Sequence, residues 1–162
     1  MAVCTIRTAP DPVLRRKAKR VGVIDGSMQK LIDDMLETMH AVPGRVGLAA
    51  PQIGVPLRVI VIGIPEEDDI VLINPEIVRR SGERQVNEGC LSIPGYNGDL
   101  KRSETVTVKG KDRNGKDIRI KAQDLLAQAL EHEMDHLNGT LYIDRLESPD
   151  LLRKNEPEES ET

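Results

Sequence analysis

Phenylalanine and tryptophan are absent from the 162 residues, and tyrosine occurs only twice. The core must therefore be built from Leu, Ile, Val, Met and Ala. Platforms for stacking nucleobases are nearly missing, which argues against a single-strand nucleic-acid binder. A basic excess is also lacking: the formal net charge is −4 and no long run of Lys and Arg occurs, which disfavours DNA as a partner. The longest apolar run, "VIVIGI" from Val59, is far too short to span a bilayer. Two cysteines, Cys4 and Cys90, do not make a disulfide framework. The start, "MAVCTIRTAPDPVL", lacks a charged segment followed by an apolar one, so no signal peptide is expected and the compartment reads as a reducing cytoplasm.

What remains is 38% hydrophobic and 31% charged, the balance of a globular chain long enough for one compact domain with a real core. Charge is unevenly placed. Residues 147–162, "ESPDLLRKNEPEESET", hold six acids and two bases, whereas residues 1–146 hold 21 of each. The expectation is a single domain over 1–147 and an acidic, flexible tail over 148–162, its last eight residues solvated.

Periodicity supplies the elements. Residues 27–42, "SMQKLIDDMLETMHAV", carry apolar side chains at 28, 31, 32, 35, 36 and 39, one helical stripe started by Asp25 or Ser27 and stopped by Pro43 and Gly44. "RVIVIGI" and "IVLIN" read as strands, with a turn at Asn74 and Pro75. "ETVTVKGKDRNGKDIRIKA" reads as a hairpin whose Asn114 and Gly115 suit a type I′ turn. "DLLAQALEHEMDHL" is a second helix, ended by Asn138 and Gly139. The order predicts an α+β fold, largely antiparallel sheets packed around a central C-terminal helix.

That helix contains "HEMDH", an HExxH pattern. At 100° per residue, with Leu125 at zero, His132 falls at about −20°, His136 at about 20°, Ala129 at about 40° and Glu133 at about 80°. Leu126, Leu137 and Leu130 follow at about 100° to 140°, while Gln128, Asp135 and Asn138 lie on the other side. Two imidazoles and a carboxylate thus share the leucine arc. Burying a carboxylate costs several kcal/mol unless it is paired or protonated. Such a pair of histidines suits one metal ion, with the glutamate as general base. A third ligand is needed. His40 ends the first helix and reads as a surface or capping residue, whereas Cys90 lies in the Gly-flanked segment "NEGCLSIPG" and is the favoured candidate. In "RVGLAAPQIGVP" the Gln52 amide is either a turn residue or a donor to an oxyanion. Ser92 and Arg102 read as structural, and Tyr96 and Tyr142 as partial core.

The segments "GLAAPQ", "EGCLS" and "HEMDH", in this order and spacing, resemble the three signature motifs of the peptide deformylases. The likeness runs from "DPVL" at Asp11 to "YIDRL" at Leu146. The family implies an α+β fold with the metal on a central helix. It also implies removal of the N-formyl group from the formylmethionine that starts new bacterial polypeptides, with release of formate. Carried onto this chain, Cys90, His132 and His136 would be the metal ligands and Glu133 the general acid/base. Gln52 and the backbone N–H of Leu91 would hold the oxyanion. Gly47 and Gly89 would give backbone contacts and close approach. Val46, Val86, Leu125 and Ala129 would line the methionine pocket. The resemblance points to one Fe(II) per chain, with Zn, Ni or Co able to substitute. It also points to formylmethionyl nascent peptides as partners, a monomer, and a bacterial cytoplasm.

The chain departs from the family pattern at Arg45, where another glycine is common, and at Asn97, near a frequent arginine. Gln128 and Glu131 replace residues that are often apolar and glutamine. Some members dock on the ribosome through a basic C-terminal helix, and the acidic tail does not support that contact. Two other classes stay open. A zinc peptidase would need a further ligand after His136, where Asp144 and Glu147 are the candidates. A non-catalytic metal- or peptide-binding module would be expected to have lost Glu133, which is present.

Overall fold

The computed structural model describes residues 2–155. Helix α1 (Gly26–His40) begins where Asp25 caps it, its Oδ1 accepting from Met28 N at 3.1 Å. Its stripe of Met28, Ile32, Met35 and Met39 is buried. Strand β1 (Gly47–Ala49) and a 3-10 turn (Ala50–Ile53) lead to β2 (Val59–Ile62) and β3 (Ile70–Ser81). A hairpin of β4 (Arg84–Cys90) and β5 (Ile93–Arg102) precedes β6 (Thr105–Lys111) and β7 (Asp117–Gln123). Helix α2 (Asp124–Leu137) follows, then two 3-10 turns and β8 (Arg153–Lys154).

Two antiparallel sheets result, β1-β2-β3-β6-β7 and β4-β5-β8. This is the α+β architecture expected, with α2 packed between them. Strand β2 explains the larger sheet. Alternate side chains point to opposite faces. Val59 and Val61 meet α1, whereas Ile60 and Ile62 meet α2. A strand covered on both faces is apolar throughout, which is why "VIVI" does not alternate. Methionines fill the α1 side, where aromatic side chains are lacking.

Two local expectations are corrected. No turn occurs at Asn74 and Pro75; β3 runs through them on a bulge, with Asn74 at φ 52°. Asparagine tolerates that conformation, and proline is accommodated at a bulge because the ladder does not need its missing N–H. The Asn74 side chain fastens Val21, donating to its O at 2.9 Å and accepting from its N at 2.8 Å. The β6–β7 turn is not type I′, since of its residues Gly115 alone has positive φ. Asp112 closes a longer loop instead, its Oδ1 accepting from the N–H groups of Asn114 and Lys116. The stretch 142–145 is a 3-10 turn, and the short terminal strand is β8.

Residues 148–155 carry a 3-10 turn and β8, which pairs with Tyr96 and Asn97 of β5. The tail expected to be flexible includes residues 156–162, which lie outside the described residues. No helix among the described residues is long and apolar enough to cross a membrane.

Candidate metal centre

Helix α2 presents His132 and His136 one turn apart, and Cys90 ends β4 opposite them. One donor atom from each lies within 4.8 Å of the others. Cys90 Sγ is 3.3 Å from His136 Nε2. His132 Nδ1 is bonded to Glu88 Oε1 at 2.6 Å, which leaves its other nitrogen for an ion. A thiolate and two imidazoles form a borderline-soft donor set with room for a fourth ligand, and this set fits a divalent transition metal. His40 is elsewhere, exposed and paired with Asp69 at 2.7 Å. Cys4 belongs to no such group among the described residues.

Glu133 is 3% exposed. Its Oε1 has no hydrogen-bond partner and lies 3.9 Å from His136 Nε2. Burial pushes its carboxyl up to about 7, against an opposing pull from His132. The neighbour that makes room for it is Gly47: a Cβ there would lie 2.6 Å from Glu133 Oε2.

Gln52 is also buried, and its two ends do different things. Its Oε1 accepts from Ala49 N at 3.0 Å, which aims its Nε2 at Ser92 Oγ (3.3 Å) and Cys90 Sγ (3.7 Å). An amide donor is thus held beside the thiolate. Leu91 sits in the two-residue turn between β4 and β5, next to the ligand.

These groups open into a cleft of about 700 Å³. Val46, Gly47, Gly89, Leu91, Leu125 and Ala129 line it. Arg45 and Gln128 lie at its wall, and Arg45 Nη1 donates to Thr38 O at 2.6 Å. Val86 does not line the cleft; it packs with Leu100 and Tyr142. Tyr142 is fully buried and stacks on His132, ring centroids 6.4 Å apart.

Helical angles placed Asp135 on a polar face, but it is buried, as is Glu131. The reason is that α2 is enclosed by the second sheet. Arg102 from β5 reaches across, bonding Glu88 at 2.7 and 2.8 Å and Asp135 at 2.7 Å, and Arg145 closes the chain on Asp135. Glu131 accepts from Ser103 N at 2.6 Å. Glu88 therefore stays ionised although burial opposes it: Arg102 and His132 hold it down at about 2. Sequence reasoning missed Glu88 and left Arg102 as merely structural. The available signal was a glutamate two residues before the ligand cysteine, with an arginine across the hairpin.

A polypeptide deformylase family model matches residues 3–151. The chain belongs to that family. A peptide deformylase of Dehalococcoides mccartyi (strain CBDB1) is 59% identical over 160 residues, covering 98% of this chain and 95% of that one. One from Thermodesulfovibrio yellowstonii is 53% identical, covering 95% and 96%. Among solved structures, the peptide deformylase of Legionella pneumophila superposes with a TM-score of 0.87 at 51% identity, covering 91% of this chain and 88% of that one. The Synechococcus elongatus enzyme, solved with actinonin, gives 0.86 at 47% identity, covering 91% and 81%. The family consists of metalloenzymes, in keeping with the Cys90, His132 and His136 group here.

Proposed function

We propose that Glu133, Gln52 and the Leu91 amide carry out the family's reaction, removal of the N-formyl group from N-terminal formylmethionine of new polypeptides with release of formate. The observation that carries this division of labour is a buried carboxylate, unpartnered at Oε1, beside a Cys, His, His donor group. Cys90, His132 and His136 would hold one divalent ion, which when bound supplies the Lewis acidity that activates water at neutral pH.

Glu133 takes a proton from the attacking water and returns it to the leaving amine. A carboxyl near 7 is suited to both transfers, being present in either state at neutral pH. Gln52 Nε2 and the Leu91 N–H receive the developing oxyanion. Each such donor contributes roughly 3–4 kcal/mol in acyl transfer. Glu88 fixes the ring of His132, and Arg102 fixes Glu88. Val46, Leu125 and Ala129 supply the apolar wall for the methionine side chain, and Gly47 and Gly89 let the peptide backbone approach. Val86 acts behind this wall through its packing on Tyr142.

For the metal the reading is Fe(II), with Zn, Ni or Co able to substitute; support comes from the motif resemblance and the thiolate donor. The reading extends to a monomer in a bacterial cytoplasm that meets formylmethionyl nascent chains. Docking on the ribosome through the acidic tail is not part of it. The test is formate release from formyl-Met-Ala-Ser by protein purified without oxygen and loaded in parallel with each metal. Turnover highest with Fe(II) and falling on exposure to air supports the assignment. Equal turnover with zinc in air would remove the case for iron. No formate with any metal would shift the weight to a peptidase or a binding module.

A further inference from the structure

The cleft has a wall that the three motifs do not account for. In the β4–β5 hairpin, Glu88 pairs with Gly98 and Cys90 with Ile93, so residues 94–97 bulge out opposite Gly89 alone. Pro94, Gly95 and Tyr96 of this bulge line the cleft, and Gly95 turns at φ 85°. The bulge closes on the cysteine's neighbour: a Cβ on Gly89 would meet Tyr96 O at 3.2 Å. A four-residue excursion has few ladder bonds of its own.

The C-terminal segment supplies them. Strand β8 pairs Lys154 with Tyr96 and Arg153 with Asn97. Asn155 N donates to Gly95 O at 2.9 Å, and Asn97 Nδ2 donates to Asn155 Oδ1 at 2.7 Å. From there a ladder of amides crosses the rim. Asn87 Nδ2 donates to Asn97 Oδ1 at 3.0 Å, and Gln128 Nε2 donates to Asn87 O at 3.3 Å. Arg153 anchors the strand on Asp99 at 2.8 Å, and Leu152 packs against the Val86, Leu100 and Tyr142 cluster. Asn155 itself lines the cleft. Its Oδ1 is taken, and among the described residues its Nδ2 has no partner.

We propose that the C-terminal strand is part of the substrate cleft. It holds the 94–97 bulge as a wall and presents the Asn155 Nδ2 to a carbonyl oxygen of the peptide beyond the formylated residue. Asn155 is thus a residue that determines specificity, and Arg153 and Asn97 are positioning residues that aim it. The consequence is that this segment sets how much the enzyme gains from a longer peptide. The assignment rests on the reaction proposed above.

The test compares formyl-Met-Ala-Ser-Ala with formyl-Met-Ala, using the full metal-loaded chain. The quantity read is the ratio of kcat/KM for the long to the short peptide. Asn155→Ala lowers that ratio about fivefold, the worth of one hydrogen bond to a peptide group, through KM rather than kcat. Asn97→Ala lowers it in the same direction by releasing Asn155. Glu147→Ala, at an exposed pair with Lys101, leaves it unchanged. An unchanged ratio in Asn155→Ala overturns the assignment, and so does an equal fall on both peptides, which marks a structural role only. No formate from either peptide with wild type would overturn the reaction itself, and this assignment with it.

Discussion

Gly47 and Gln52 show how little atomic freedom the site has. A Cβ at residue 47 would press on the Glu133 carboxylate at 2.6 Å, so Gly47→Ala must displace the group proposed to move the proton. The expected result is a fall in kcat/KM of about 10²-fold with the fold retained, since a misplacement of about 1 Å in such a group has that effect. Steady-state kinetics beside far-UV circular dichroism checks this. Gln52 offers a cleaner separation. Gln52→Glu keeps the acceptor for Ala49 N but removes the donor. It should lose about 10²–10³ in kcat, more than the fall in thermal midpoint from burying its carboxyl accounts for. Equal losses of rate and stability would mean that Gln52 only shapes the turn.

Helix α2 is an element whose chemistry was legible in part. Its HExxH spacing put both imidazoles and Glu133 on one arc, and they are together in the fold. Its second buried face was not legible. Asp135 and Glu131 look like solvent residues until the β4–β5 hairpin covers them, and that hairpin is a long-range contact which local periodicity does not encode. The same limit hid the bulge at Asn74, where a side chain bonds to Val21 far away in sequence. The ion chain of Glu88, Arg102 and Asp135 has two measurable consequences. Arg102→Met removes the guanidinium shared by two buried carboxylates, leaving Asp135 with Arg145 alone and Glu88 with His132 alone, and should destabilise by about 3–5 kcal/mol in urea unfolding. The pH dependence follows from Glu88, whose carboxyl is held at about 2, below its usual 4.5. Its contribution is present above the unfolded value near 4.5 and is lost as pH falls through about 2. That loss is on the order of 3 kcal/mol, and Glu88→Gln should flatten the fall across this window. An unflattened curve would mean the acid sensitivity arises elsewhere.

Across the whole molecule, a core without Phe or Trp is held by a β2 strand buried on both faces, between α1 and α2. Cys90 comes from β4 and the histidines from α2, so an ion bound there joins the hairpin to the central helix. Removing it should lower the thermal midpoint, because a ligand that binds only the folded state stabilises by mass action. Calorimetry with and without chelator reads this, and an unchanged midpoint would mean the three donors do not form a site. The most direct measurement of the central claim concerns Glu133. Wild type and Glu133→Ala, each shown to hold one metal per chain, are compared for formate release from formyl-Met-Ala-Ser. The account predicts turnover by wild type and a loss of at least about 10²-fold in the variant at equal metal content. Turnover surviving in Glu133→Ala would contradict it, because the proton would then travel through a group other than the buried carboxylate of α2.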